Sequence, residues 1–266
     1  MSRPFRLLVS GLVAVMLAGP RPLLPQEETP APFVPGETLT YDVTWSVFPA
    51  GQVVAKLTRL EGDSQGAYEV ITTARTTGVV DLLFNVRNEF RSTFNPQTLC
   101  SRRIWKWINE GRRHREMHIV FDPLRRLAIR DERDPTKPHD PSRHAENETP
   151  GCVADVITAF YVVRRRPLHV GEQLTLPIND GAKTYDVAIE VQERENIQTP
   201  LGTRAAVRVE PKVFGGLYKR KGTMQIWFSD DEQRLPLRIK ASVGVGTITG
   251  NLKSVTTAPA ADSQSE

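Results

Sequence analysis

Apolar and polar residues alternate one for one along much of this chain, beginning at residues 36–51, GETLTYDVTWSVFPAG. Leu39, Tyr41, Val43, Trp45 and Val47 hold the odd positions, and Thr38, Thr40, Asp42, Thr44 and Ser46 the even ones. A period of two sets each group on its own face of a half-buried strand. Pro49-Ala50-Gly51 reads as the turn that ends it. The same signal returns over residues 52–60, 68–76 and 86–94, the last with Phe90 and Phe94 on one face and Arg87, Glu89 and Arg91 on the other. Residues 103–108 and 115–121 flank Asn109-Glu110-Gly111, which predicts a hairpin. Residues 125–130, 185–192, 202–209, 223–228 and 237–248 continue the series, and Gly244, Gly246 and Gly250 mark a bend or close backbone approach near its end.

Two stretches break the alternation. Residues 131–151, DERDPTKPHDPSRHAENETPG, carry four prolines, many charges and almost no apolar residue, so they read as one long loop. Residues 153–165, VADVITAFYVVRR, place Val153, Val156, Ile157, Phe160 and Tyr161 at helical spacing, with arginines in the last turn and Pro167 beyond. That combination predicts a helix. About ten sequential strands with one helix give an all-β class with minor α content. The expected architecture is a strongly curved antiparallel sheet, an open or half β-barrel, forming a single domain over residues 36–254. The small polar residues of 255–266 predict a disordered tail.

The N-terminus changes where the protein is expected to work. Arg3 and Arg6 precede the apolar run Leu7–Ala18, the pattern of a secretory signal peptide over residues 1–25. The run falls short of the roughly 20 apolar residues of a membrane-spanning helix, although an uncleaved N-terminal anchor is the alternative. A proline-rich leader at 26–35 follows. Pro20 stands where a lipid-bearing cysteine would be, so the chain is not expected to be a lipoprotein. The expected location is periplasmic or secreted, with no transmembrane segment beyond the N-terminal one. In an oxidising compartment Cys100 and Cys152 pair as a disulfide or remain two buried thiols.

Candidate chemistry adds little. His114 and His118 lie four apart on a strand pattern, roughly 13 Å along the chain, too far to share an ion. His139, Asp140, His144 and Glu146 read as solvated loop residues. No Gly-x-Ser-x-Gly elbow and no phosphate-cradling glycine loop occurs, so no catalytic residue, metal or cofactor is assigned. Asp230-Asp231 sit in a turn that explains them. The basic clusters Arg112-Arg113 with Arg115, Arg164-Arg165-Arg166 and Lys219-Arg220-Lys221 read as a solvated face, or one meeting anionic headgroups or polysaccharide. The formal net charge of +4 is modest, and export argues against nucleic acid. What stands out is the set of large residues on single strand faces: Tyr41, Trp45, Phe90, Phe94, Met224, Ile226 and Phe228. Either they close-pack, or they line a concave site for a lipid or other amphipathic molecule. The alternative role is a structural or assembly factor that binds another envelope protein or polymer, with an unrecognised hydrolase third.

Several short pieces in order resemble a family of exported bacterial proteins, domain of unknown function 3108. They are Gly36-Glu37 with Tyr41, Trp45 and Ala50-Gly51, then Asp155, Tyr161 and Arg164, then Pro167-Leu168 with Gly171-Glu172. Thr199-Pro200-Leu201-Gly202-Thr203, Trp227-Phe228-Ser229-Asp230-Asp231 and Arg234-Leu235-Pro236 complete them. The resemblance spans about residues 33–252 and implies an exported, β-rich domain with no established activity. A curved sheet with a helix is also similar to the periplasmic lipoprotein carriers, a likeness of fold that carries no function.

Overall fold

Each alternating segment finds a neighbour in one antiparallel sheet. In the computed structural model, which describes residues 31–64, 66–213, 221–244 and 246–258, the order along the chain is β1 (Glu37–Trp45), β2 (Phe48–Arg59), β3 (Tyr68–Thr76), α1 (Gly78–Leu83), β4 (Arg87–Phe94) and β5 (Ser101–Glu110). There follow β6 (Arg113–Asp122), β7 (Leu127–Arg133), β8 (Arg143–Glu148), α2 (Thr158–Arg164), β9 (Gln173–Asn179) and β10 (Thr184–Thr199). β11 (Gly202–Pro211), β12 (Gly222–Ser229), β13 (Pro236–Val243) and β14 (Gly246–Thr257) end the series. Fourteen strands pair in the order β8-β7-β6-β5-β4-β3-β2-β1-β14-β13-β12-β11-β10-β9. The fold is two meanders, β1–β8 and β9–β14, joined where β1 pairs with β14 from Glu37↔Thr257 to Trp45↔Ile248. It is the expected all-β, strongly curved sheet.

The sheet curls until its two edge strands meet, and side chains hold that seam instead of a ladder. Asn179 of β9 donates to Asn147 of β8 (2.7 Å), Asn147 donates to the Gly181 carbonyl (3.3 Å), and Thr184 donates to the Glu148 carbonyl (3.2 Å). A Cβ on Gly181 would fall 2.3 Å from Ile119 Cδ1, so glycine allows the β9–β10 turn to press against β6. Lys106, buried on β5 between Ile104 and Ile108, donates from Nζ to the Asp180 carbonyl of that turn (3.1 Å). Burial pushes its pKa below the ordinary value of 10.5. Between the lowered folded value and 10.5 the unfolded chain binds more protons, so this lysine makes stability rise with pH across that window. Lys106→Met is expected to flatten that rise in urea unfolding followed at several pH values below 10.5. Equal slopes in the two proteins would contradict the assignment.

Asp155 fixes the segment that leads into α2. Fully buried, it accepts the Ser92 hydroxyl (2.6 Å), the Ser101 hydroxyl (2.7 Å), the Thr158 hydroxyl (3.0 Å) and the backbone N–H groups of Ile157 (2.8 Å) and Thr158 (3.1 Å). A carboxylate so placed satisfies the first free N–H groups of the helix. Just before it, Cys100 and Cys152 form a disulfide with Cα atoms 5.0 Å apart, tying the entry of β5 to this segment.

The structure departs from the sequence reading at several places. The strand β2 runs through Pro49-Ala50-Gly51, and the turn falls at Ser46-Val47. Gly51 is needed there because a Cβ would lie 2.1 Å from the Arg75 carbonyl oxygen. The segment 131–151 is not one loop: β7 extends to Arg133, and RHAENE forms β8 on the ladder to β7. The helix covers only Thr158–Arg164, because Val153 and Ala154 spend their backbone groups on Ser101 and on a bridge to Ile178. Residues 237–248 are split between β13 and β14 by a turn. The supposed tail begins inside β14, where Val255, Thr256 and Thr257 pair with Leu39, Thr38 and Glu37. Phe33, assigned to the leader, is a core residue packed edge-on against Tyr161 at 4.9 Å. The signal-peptide segment and residues 259–266 lie outside the described residues.

Candidate functional site

The two-residue period turns Leu39, Tyr41 and Val43 of β1, Val53 and Ala55 of β2, and Val70 and Thr72 of β3 to the concave side. Ile239 and Ala241 of β13 with Ile248 and Gly250 of β14 extend the same wall. The α2 segment crosses inside it, and Ile157, Phe160, Tyr161 and Arg164 face the strands. Between them lies a cavity of about 280 Å³, almost wholly apolar in its lining. Small-molecule sites run from roughly 300 Å³ upward, so this volume suits one slender apolar group.

An ion pair closes its floor. Arg164, 1 % exposed, donates to both Glu37 carboxylate oxygens (2.6 and 2.8 Å), to the Pro32 carbonyl (2.8 Å) and to the Gln233 carbonyl (3.2 Å). Its guanidinium also lies over the rings of Phe33 (5.4 Å) and Tyr161 (5.5 Å). Tyr41 donates its hydroxyl to the Pro236 carbonyl (2.9 Å). Burial pushes the Tyr41 and Tyr161 phenols far above the ordinary range, so both stay neutral. Among the described residues, Thr72 Oγ1 is buried within the wall and has no hydrogen-bond partner.

The opposite end is open. Ile248 lines the cavity yet is 47 % exposed, so the cavity reaches the surface beside it. Trp45 is its ladder partner on β1, and a Cβ on Gly246 would stand 2.8 Å from the indole Nε1.

Of the seven residues predicted to line a ligand site, Tyr41 alone stands in this wall. Trp45 sits one rung beyond it, at the rim. Phe94 packs behind it with Phe33 (6.5 Å) and Tyr161 (5.4 Å), in a cluster completed by Leu57, Val70 and Leu99. Phe90 is half-buried on β4 between Thr72 and Lys106. Met224, Ile226 and Phe228 pack with Val207 and Val209 on the other side of α2. The helix divides the concave space: Ala159 and Val163 turn toward that core, Ile157, Tyr161 and Arg164 toward the cavity.

The floor gathers residues that sequence reasoning left scattered. Glu37 and Arg164 are 127 positions apart and meet as a bidentate pair. Arg234 donates to the Arg164 carbonyl (3.2 Å), and Ser229 holds Asp231 (2.6 Å) in the turn that supplies the Gln233 carbonyl. Gly36-Glu37, Arg164, Ser229–Asp231 and Arg234 thus converge on one end of the sheet, while Trp45 and Ala50-Gly51 lie at the other. Arg164 is no part of a solvated basic face, and Arg165 donates to the Pro96 and Gln97 carbonyls. On the convex face Trp105 and Trp107 stack at 6.1 Å, with Arg91 over Trp105 and Glu116 accepting its indole N–H. His144 pairs with Asp131 (2.9 Å), which raises its pKa. Among the described residues no group of three or more His, Cys, Asp or Glu side chains is arranged to hold a metal ion. Tyr218, Lys219 and Arg220 lie outside the described residues.

Residues 40–253 match the model of the family described as protein of unknown function, DUF3108. Among solved structures, the chain is similar to a β-barrel-like protein of domain of unknown function DUF1849 from Brucella abortus, at 7 % identity and a TM-score of 0.57. That alignment covers 84 % of this chain and 98 % of the other. A protein from Bacteroides fragilis, described as exported and of YmcC-like fold, aligns over 84 % of this chain and 96 % of its own at 11 % identity, with a TM-score of 0.36. The curated proteins hold no match to the chain.

Proposed function

The chain belongs to the DUF3108 family of proteins of unknown function, and we propose that it is an exported envelope protein that holds a lipid or other amphipathic molecule between α2 and the concave sheet. The observation that carries this reading is an apolar cavity between α2 and the concave sheet, open beside Ile248. Apolar burial supplies the affinity. The ion pair beneath neutralises the floor. Two neutral phenols and a fully engaged arginine at the floor leave apolar contact as the main interaction the cavity offers a guest. Export is supported by the basic start and apolar run before Ala18, and by a disulfide suited to an oxidising compartment.

Native mass spectrometry of protein purified from an envelope fraction tests the reading. An added mass that organic extraction removes is expected in the parent protein and absent in Ala241→Phe, which fills the cavity from β13. A parent protein that carries no added mass and takes up no apolar fluorescent probe would overturn it.

A further inference from the structure

The rim of the cavity exposes apolar surface that nothing among the described residues covers. The β1–β2 turn presents Val47, 82 % exposed, and Phe48, and α1 beside it presents Val79, Leu82 (87 % exposed), Leu83 and then Phe84. No residue of α1 is buried. The two segments touch through the Thr77 N–H on the Ala50 carbonyl (2.9 Å), and the β5–β6 turn joins them, its Gly111 N–H donating to the Asn85 carbonyl (2.8 Å). Ladder register puts all three turns at the end of the sheet where the cavity opens beside Ile248 and Trp45.

This tip is a built feature. Asp81 accepts the Thr76 hydroxyl (2.6 Å), the Asn85 amide (2.9 Å) and both Arg87 terminal nitrogens (2.8 and 2.9 Å). That network turns the polar side of the α1 loop inward and leaves its leucines outward. Residues 45–52, 74–88 and 109–114 hold four arginines (75, 87, 112, 113) against two carboxylates (Asp81, Glu110), a net excess of two positive charges; Arg87 and Arg113 pair with those carboxylates, and Arg75 and Arg112 are exposed.

From this arrangement we infer that the tip docks on an anionic lipid surface, so that a membrane amphiphile passes between bilayer and cavity without crossing water. The inference rests on the cavity reading. An exposed apolar tip with a net positive charge matches the boundary between acyl chains and anionic headgroups, and its continuity with the cavity mouth gives the docking a purpose.

Hydrogen exchange of the full chain, with and without vesicles of phosphatidylcholine containing about a quarter phosphatidylglycerol, tests it. Protection is expected at residues 46–50, 77–85 and 110–113, with exchange slowed at least about tenfold. The double substitution Leu82→Asp and Leu83→Asp should abolish it. Leu124→Asp, at the exposed β6–β7 turn on the opposite end, should leave it intact. Unchanged exchange at the tip, or protection confined to residues before Ala31, would overturn the proposal. The measurement reads backbone protection and not ligand uptake, so an empty cavity and a failed docking are told apart.

Discussion

Replacing Arg164 with methionine is expected to destabilise the protein by about 3–5 kcal/mol, because the substitution strands the Glu37 carboxylate in a dry site. The arginine is the largest fully buried side chain among the described residues, and it also satisfies the carbonyls of Pro32 and Gln233. Three stretches distant in sequence, the N-terminal entry, α2 and the β12–β13 turn, therefore meet on one guanidinium. Adding Glu37→Gln to Arg164→Met should recover much of the loss, since removing both charges of a buried pair is far less damaging than removing one. Urea midpoints of the parent, both single variants and the double variant measure the coupling. Single losses that simply add would show that the pair does not act as a unit.

Loss of the Cys100–Cys152 bridge is the second large effect. It closes 52 positions of chain, and for a loop of that length the chain-entropy argument gives about 4 kcal/mol. The bridge also anchors the segment from which Asp155 starts α2, the inner wall of the cavity. Reduction, or Cys100→Ser with Cys152→Ser, should therefore lower the denaturant midpoint and weaken uptake of an apolar probe together. An unchanged midpoint in reductant would contradict this account.

Side-chain alternation carried most of the fold, since a strand packed on one face writes its pairing into every second residue. It failed where backbone hydrogen bonding alone makes the element. RHAENE has no apolar face because β8 is an edge strand, and its charges suit an edge that must not recruit another chain. The α1 helix was illegible for the opposite reason: Val79, Leu82 and Leu83 are apolar yet none is buried. At the site, Tyr41 was legible as part of a strand face, and Met224, Ile226 and Phe228 carried the same signal. Parity says which face a residue occupies and not which side of α2 lies opposite. Glu37 and Arg164 stood in the sequence among the family-like pieces, yet their pairing across 127 positions has no local signature.

The central pairing of the sheet has a consequence for the order in which the protein is made. β1 is the first strand to emerge and β14 the last, yet they are neighbours, and the Ala258 N–H returns to the Gly36 carbonyl (3.1 Å). Until the final dozen residues of the domain are available, the first meander carries β1 as a bare edge with unmet N–H and C=O groups. Closure is thus a late, non-local and slow event, and the half-made chain is at its most adhesive just before it completes. The growing chain therefore needs that edge shielded until β14 is made.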